Sequence, residues 1–163
     1  TRFAERQAVK RYLALVWGHP RPAAGIWDAR LGPDKKDRRR MKVDPEGRPA
    51  LTEYRTLARA AHVALLELTP RTGRTHQLRV HLAAAGHPIV GDDLYGGPRE
   101  HGVRSPALRA ALAPGRSLLH AFRLTIPGLE PESFEAPVPA DFAAALTACR
   151  ISCDIPLAFP EKP

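Results

Sequence analysis

The pattern of hydrophobic and polar positions predicts many short β-strands and few helices. Short apolar runs that are rich in β-branched or aromatic residues and end in turn residues are typical of strands. Such runs occupy residues 9–17, 25–31, 51–57, 63–69, 88–91 and 118–126. A C-terminal helix is expected over residues 140–149. Because strands and helices do not alternate strictly, we expect an α+β fold with a mixed, largely antiparallel sheet, forming one domain over residues 1–163.

A further helix with clear end signals is expected after the fourth strand run. Thr75 predicts its N-cap, and Gly86 fits the left-handed residue that ends many helices. At 100° per residue, one narrow apolar stripe should face the sheet; it consists of Leu78, Leu82 and Ala85. Arg79 lies at the edge of this stripe, and an arginine at the margin of a core needs a partner.

The chain is strongly basic, which narrows the range of expected partners. It has 25 Lys and Arg against 17 Asp and Glu, a formal net charge of +8 at pH 7. Arginine dominates this excess, and guanidinium groups match phosphate oxygens in a bidentate way, so nucleic acid is the first expected partner. Six of the eight residues at 35–42 are basic. Two interpretations of this segment stay open: a phosphate contact through Arg38, Arg39 and Arg40, or a solvated loop tip.

Several classes of protein lose support. No stretch approaches the roughly 18 apolar residues of a spanning helix, and the first residues lack the order of a signal peptide, so we expect a cytoplasmic chain without a membrane partner. Phosphate-cradling loops, the Gly-x-Ser-x-Gly turn and metalloprotease histidine pairs are absent. A metal-dependent hydrolase remains a remote alternative through four histidines. The four are His76, His81, His87 and His120. Because no acidic residues accompany them at ligand spacing, we interpret these histidines as structural and expect no metal.

The arginine-rich segment at residues 71–79 is the strongest candidate for chemistry. Its Gly73 turn leads into a helix N-terminus, whose free N–H groups and positive dipole end favour anions. Three arginines surround that turn, namely Arg71, Arg74 and Arg79. The residues alone leave two interpretations open, an anion-binding site or an arginine-rich cap with structural ion pairs.

Separated motifs in a fixed order resemble the RluA-type family of RNA pseudouridine synthases. TGRTHQLRVHL at residues 72–82 and GHPIVGD at 86–92 resemble the family's third motif region, and KRYLALVWG at 10–18 resembles its second. Further matching positions are Ala50, Thr52, Tyr54, Tyr95, Gly96, Leu119–Ala121 and, near the end, Phe134, Ala136, Pro137, Pro139, Asp141 and Phe142. The resemblance covers essentially the whole chain. It implies the family's fold and its reaction, the conversion of uridine in rRNA or tRNA into pseudouridine without a metal or an organic cofactor.

The resemblance also implies roles for individual residues. The target base must leave the RNA stack. Tyr12 would pack against the flipped uracil and assist loss of the C5 proton, although its position alone also fits an ordinary strand tyrosine. Arg79 would pair with the catalytic aspartate and keep it ionised. The remaining candidates would shape the pocket or contact RNA; they are Lys10, Arg74, His76 and Gln77.

The family's nucleophile is missing from its usual context. It is an aspartate in a His-Arg-Leu-Asp tetrapeptide before the tyrosine motif, and none of the eight aspartates here stands in that setting. The chain also begins with Thr1 rather than Met. We therefore expect a C-terminal portion of the catalytic domain, with its nucleophile upstream. Arg79 would then lack the catalytic aspartate as its partner, and this chain alone would not catalyse the reaction. The alternative is a non-catalytic RNA-binding module derived from the same fold.

Overall fold

A six-stranded antiparallel sheet organises residues 8–155, the part of the chain that the computed structural model describes. The strands are β1 (Val9–Trp17), β2 (Ala24–Asp28), β3 (Leu31–Pro33), β4 (Met41–Val43), β5 (Leu51–Arg59), β6 (Val63–Pro70), β7 (Leu119–Thr125) and β8 (Ser133–Glu135). The helices are α1 (Gln77–Ala84), α2 (Pro106–Ala111) and α3 (Ala140–Ala148), with a 3₁₀ turn at Glu100–Gly102. None of the helices in this range is long and apolar enough to span a membrane.

The strand order in the sheet is β2-β5-β6-β1-β7-β8, and β3 pairs with β4 in a separate hairpin. All pairings between these strands are antiparallel. Two connections inside the large sheet are hairpins, β5–β6 and β7–β8, whereas β6 and β7 are joined by a long segment that carries α1 and α2. The α+β prediction with a largely antiparallel sheet is confirmed.

Strand β1 lies in the middle of the sheet and is covered on both faces. Alternate residues of a strand point to opposite faces, and five successive residues from Leu13 to Trp17 are buried. Leu13 and Leu15 pack in the layer that contains α2 and α3. Ala14 and Val16 pack in the layer that contains α1. Burial on both faces explains the continuous apolar run that identified this strand in the sequence.

Two predicted strand runs differ from the structure. The run at 25–31 is divided, because β2 ends at Asp28 and the chain crosses to the β3–β4 hairpin from Leu31. The run at 88–91 forms only an isolated bridge between Ile89 and Val16. Gly91 ends that run, since it turns the chain with a left-handed φ of 80°. A β-carbon there would lie 2.0 Å from the carbonyl oxygen of Arg116, so only glycine fits.

Helix α1 begins one residue later than predicted. Its N-cap is His76 rather than Thr75, and His76 adopts the left-handed conformation with φ 54° and ψ 20°. No side-chain oxygen caps the helix; the side chain of Gln77, its first residue, instead folds back, and its Oε1 accepts the N–H of Arg74 at 3.0 Å. Gly86 has the predicted positive φ of 87°. The sheet-facing stripe is right for Leu78 and Leu82 but wrong for Ala85, which is exposed beyond the last helical turn.

Candidate active site

Tyr12 lies on the face of the sheet that carries α1. It packs at the border of the apolar cluster that contains Leu78 and Leu82 of that helix, next to Leu119 of β7. A cavity of about 330 Å³ opens beside the Tyr12 side chain. Its lining includes Lys10, Tyr12, Leu124, Phe134 and Ala136. The strand period of two thus brings two predicted site residues, Lys10 and Tyr12, to one concave surface.

Arg79 and Asp92 form a bidentate ion pair between α1 and the loop after Gly91. The Nε of Arg79 donates to Oδ2 at 2.8 Å and its Nη2 to Oδ1 at 2.7 Å. The Asp92 side chain is fully buried, and that of Arg79 is 23% exposed. These hydrogen bonds raise the pKa of Arg79 above its ordinary value. The sequence leaves Arg79 without the catalytic aspartate that the resemblance pairs with it, and in the structure the Gly91 turn delivers a different carboxylate, 13 residues away.

The carboxylate of Asp92 also organises its own loop. Its Oδ1 accepts the backbone N–H groups of Leu94 and Tyr95, each at 3.2 Å. The backbone carbonyl oxygen of Asp92 accepts the N–H of Gly97 at 2.6 Å. Four donors surround the Asp92 carboxylate, and it has no exposed surface. It therefore cannot contact a ribose carbon of a bound nucleotide. Asp92 is thus a positioning residue for Arg79 and not a candidate nucleophile.

Tyr95 joins three parts of the site. Its hydroxyl accepts the N–H of Met41 at 2.8 Å and donates to Nδ1 of His76 at 2.7 Å. Arg79 lies over its ring, 5.0 Å from the centroid. Burial raises the pKa of Tyr95, so the phenol keeps its proton. Tyr95 belongs to the motif positions named above, but the sequence assigns it no role. Its hydrogen bond to Met41 of the β3–β4 hairpin joins residues far apart in the chain and cannot be predicted from a local pattern.

His76 is neutral in this arrangement and keeps one ring donor available. Burial, and then the positive charge of Arg79, lowers the pKa of His76. We assign the tautomer in which Nδ1 accepts the Tyr95 hydroxyl and Nε2 carries the proton. The left-handed backbone conformation of a non-glycine residue is a source of strain that is common at functional sites.

Gln77 is a positioning residue at the start of α1. Only 4% of it is exposed. Its Oε1 accepts the Thr72 hydroxyl at 2.6 Å as well as the Arg74 N–H, and its Nε2 donates to the Leu51 carbonyl and to Thr52 Oγ1, both at 3.0 Å. All of its hydrogen-bonding capacity is used inside the protein. We therefore interpret Gln77 as fixing the 72–77 turn rather than as touching RNA.

The network continues from Thr52 to His81, which is 2% exposed. Thr52 Oγ1 donates to His81 Nδ1 at 2.8 Å, and His81 Nε2 donates to the Ala29 carbonyl at 3.0 Å. Burial lowers the pKa of His81. This agrees with a neutral ring that accepts one hydrogen bond and donates another. The chain of bonds anchors β2, β5 and α1 to one another.

Replacement of Thr52 by valine should therefore destabilise the fold. Thr52→Val keeps the shape but leaves the His81 and Gln77 groups unpaired, and we expect a loss of about 1–3 kcal/mol in the free energy of unfolding. Thr56→Val is the matched control on the same strand, because the buried Thr56 hydroxyl has no hydrogen-bond partner among residues 8–155. Urea unfolding midpoints measure both. Equal losses for the two variants would contradict a structural role for the network.

The predicted basic residues divide into bound and exposed groups. Arg71 pairs with Glu53 at 2.7 Å, and Arg74 Nε donates to the Pro49 carbonyl at 2.8 Å. Together with the Arg79–Asp92 pair, these contacts favour structural pairing for much of the 71–79 segment. In the β3–β4 hairpin, Arg38 is exposed. Arg39 pairs with Asp37 at 2.7 Å and lowers the pKa of that carboxyl to about 2.

The four histidines do not converge. His76 bonds to Tyr95, His81 to Thr52 and Ala29, His87 to the Trp17 carbonyl and His120 to the Ala136 carbonyl. Within the range 8–155, no group of three or more His, Cys, Asp or Glu side chains is arranged to hold a metal ion. The hydrolase alternative, which needed these histidines at one metal, thus has no support in this geometry.

Known proteins resemble this chain in sequence and in fold. A family model described as RNA pseudouridylate synthase matches residues 1–84. An RNA pseudouridine synthase of Chloroflexus aurantiacus is 45% identical over 146 residues, which are 86% of this chain and 42% of that protein. The dual-specificity RNA pseudouridine synthase RluA of Escherichia coli is 48% identical over 126 residues, 76% of this chain and 53% of that protein.

Solved structures agree with the sequence relatives. The structure of human RNA pseudouridylate synthase domain containing 1 superposes with a TM-score of 0.67 at 35% identity and covers 89% of this chain and 60% of its own. Human RNA pseudouridylate synthase domain containing 4 gives a TM-score of 0.69 at 27% identity, over 91% of this chain and 65% of its own. The chain spans about half the length of the curated relatives it matches.

Proposed function

The chain belongs to the RluA-type family of RNA pseudouridine synthases, and from this premise we propose that the protein isomerises uridine in rRNA or tRNA to pseudouridine. In this reaction the bond between C1′ and N1 breaks, the detached uracil turns, and a new bond joins C1′ to C5. The proton leaves C5, and N1 ends with a proton, so the product is an isomer of the substrate. The target nucleotide is flipped out of the RNA for this chemistry.

One observation carries this proposal: Tyr12 and Arg79 lie on the same side of the sheet, and Arg79 is fixed there by Asp92. Tyr12 borders the cluster formed by Leu78 and Leu82, which flank Arg79 on α1. The Nε and Nη2 atoms of Arg79 bind Asp92. In the described part of the chain Nη1 has no hydrogen-bond partner, so it remains available for a second carboxylate.

The nucleophile in this proposal is an aspartate N-terminal to Thr1. Its carboxylate would attack the nucleotide while Arg79 Nη1 keeps it ionised and oriented, as an adjacent guanidinium does. Tyr12 would hold the detached uracil by stacking and take part in the removal of the C5 proton, since a phenol can do both. The full burial of Asp92 supports a nucleophile other than that carboxylate.

RNA would lie across the basic residues that surround this face. We propose contacts from Lys10 beside the Tyr12 cavity, from Arg74 and His76 at the start of α1, and from the β3–β4 hairpin through Arg38, Arg39 and Arg40. Support comes from the net charge of +8 and from the exposed positions of Lys10 and Arg38. Phosphate contacts of this kind give affinity without reading sequence.

The direct test is pseudouridine formation by the full-length protein. Purified protein is incubated with RNA that carries tritium at C5 of uridine, and release of tritium together with mass-spectrometric mapping of pseudouridine measures the reaction. We expect release that requires the upstream aspartate, and an Asp→Asn variant at that position should bind RNA but release nothing. Tight RNA binding without tritium release by the wild type would favour the alternative, a non-catalytic RNA-binding module.

Removal of charge from the β3–β4 hairpin should weaken RNA binding and reduce its salt dependence. For Arg38→Ala we expect the slope of log K against log salt to flatten by about 0.7, the value for one lost contact to single-stranded RNA. Arg104→Ala is the control, because Arg104 is exposed next to α2, in the layer on the opposite face of the sheet. A hairpin variant with the wild-type slope would remove Arg38 from the RNA path.

A further inference from the structure

Arg40 differs from its neighbours in the β3–β4 hairpin because its side chain is packed against the protein. Arg38 is exposed, and the side chain of Arg39 is 77% exposed and paired with Asp37. The guanidinium of Arg40 lies over the Tyr95 ring, 5.3 Å from its centroid. Its Nε atom is buried and has no hydrogen-bond partner among the residues that the structure describes. Such a donor calls for an explanation, since buried polar groups in native proteins are nearly always bonded.

Two cations lie on Tyr95, and only one of them has a direct ion pair. Arg79 lies on the same ring, 5.0 Å from the centroid, so two guanidinium groups share one aromatic side chain. Asp92 compensates Arg79. Among residues 8–155, no carboxylate lies within salt-bridge distance of Arg40, although its charge contributes to the lowered pKa of Asp37. A packed guanidinium without a direct ion pair gains one when an anion binds beside it.

The backbone holds Arg40 in place for such a ligand. Its N–H donates to the Asp37 carbonyl and its carbonyl accepts the Asp34 N–H, both at 2.9 Å. The next residue, Met41, donates its N–H to the Tyr95 hydroxyl at 2.8 Å. That hydroxyl also contacts Nδ1 of His76, and the other ring nitrogen, Nε2, carries the proton that we assign to this ring. The donors are thus fixed before any ligand arrives, which limits the entropy lost on binding.

We propose that Arg40 and His76 form an anion subsite beside Tyr95 that binds one phosphodiester group of the RNA, next to the nucleotide that is isomerised. The inference rests on the proposed function for the identity of the strand. A phosphodiester fits because its two unesterified oxygens carry one negative charge, and the Arg40 guanidinium makes no direct ion pair with the described residues that the ligand would have to displace. Arg40 therefore contacts one defined phosphate near the target nucleotide. Arg38 and Arg39 attract the RNA backbone electrostatically without contacting a defined phosphate.

The test couples one arginine to one phosphate in the full-length protein. The substrate RNA is made with a single uncharged methylphosphonate at successive positions around the target uridine, and binding is measured for wild type, Arg40→Gln and the control Arg39→Gln. We expect Arg40→Gln to weaken binding about tenfold, as loss of a charged hydrogen bond does. At one position the methylphosphonate should lower the RNA affinity of the wild type by a similar factor. At the same position it should not lower the affinity of Arg40→Gln any further. Arg39→Gln should stay sensitive at that position.

Two results would overturn the subsite. In the first, the losses from Arg40→Gln and from the methylphosphonate multiply at all positions; in the second, Arg39→Gln behaves like Arg40→Gln. Arg40→Lys keeps the charge but not the planar guanidinium fork, and it should recover only part of the affinity. Thermal unfolding of each variant shows whether Arg40 is merely structural, in which case stability falls without any coupling to a phosphate. Tritium release by wild type on unmodified RNA tests the proposed function separately, and the coupling is read from binding even when no release occurs.

Discussion

Replacement of Arg79 by methionine is expected to lower turnover of the full-length protein at least about 100-fold while RNA affinity falls much less. The magnitude is that of removing one preorganised charged donor from an active site. Arg79 is held by two hydrogen bonds to a fully buried carboxylate, so its remaining nitrogen is presented at a fixed position. Arg109→Met is a control on the opposite face, where the Arg109 side chain bonds, among residues 8–155, only to the Val103 carbonyl.

The variant also leaves Asp92 buried without its counter-charge, and loss of fold has to be separated from loss of chemistry. Breaking a buried pair on one side costs about 3–5 kcal/mol, whereas neutral replacement of both partners is often harmless. We expect Arg79→Met to unfold at lower urea concentration and the double variant Arg79→Met with Asp92→Asn to recover most of the stability. Turnover should stay low in both. Recovery of turnover together with stability would mean that Arg79 acts only through the fold.

Local signals in the sequence were sufficient for the central elements of this fold. The run from Val9 to Trp17 matched β1 at both ends. Burial on both faces leaves an unbroken apolar pattern over Leu13–Trp17. Gly86 ended α1 as expected, since few other residues tolerate its left-handed conformation. In α1 the period of 3.6 residues placed Leu78 and Leu82 against the sheet. These features depend on neighbours within a few residues.

Features that depend on distant contacts could not be predicted. The partner of Arg79 is fixed by the turn at Gly91, and no local pattern distinguishes Asp92 from the adjacent Asp93. Arg38 and Arg40 belong to one basic run, yet only Arg40 is packed on Tyr95, because the Met41 N–H ties that end of the hairpin to the Tyr95 hydroxyl. The start of α1 was misplaced because His76 takes the N-cap position in a left-handed conformation and without a side-chain cap, so the usual N-cap pattern does not mark it.

Tyr12→Phe is expected to stop pseudouridine formation while the fold and RNA binding remain. The variant keeps the ring that packs beside Leu78, Leu82 and Leu119 and removes only the hydroxyl. If that hydroxyl takes part in moving the C5 proton, its loss should reduce turnover by about 100-fold to 10,000-fold, the range for a general acid or base. Tritium release measures the proton step, and mass spectrometry shows whether uracil has been detached or rejoined.

Tyr54→Phe is the matched control for this hydroxyl. Tyr54 is in the same apolar layer, stacks on Trp27 with 4.0 Å between ring centroids, and donates its hydroxyl to the Pro22 carbonyl at 2.9 Å. Its loss should cost about 1 kcal/mol of stability and leave turnover unchanged. If Tyr12→Phe released tritium at the wild-type rate, the side chain would act by packing alone. The proton would then have to leave C5 through another group, and the upstream carboxylate would be the first to test, because a detached uracil held on Tyr12 would still face it.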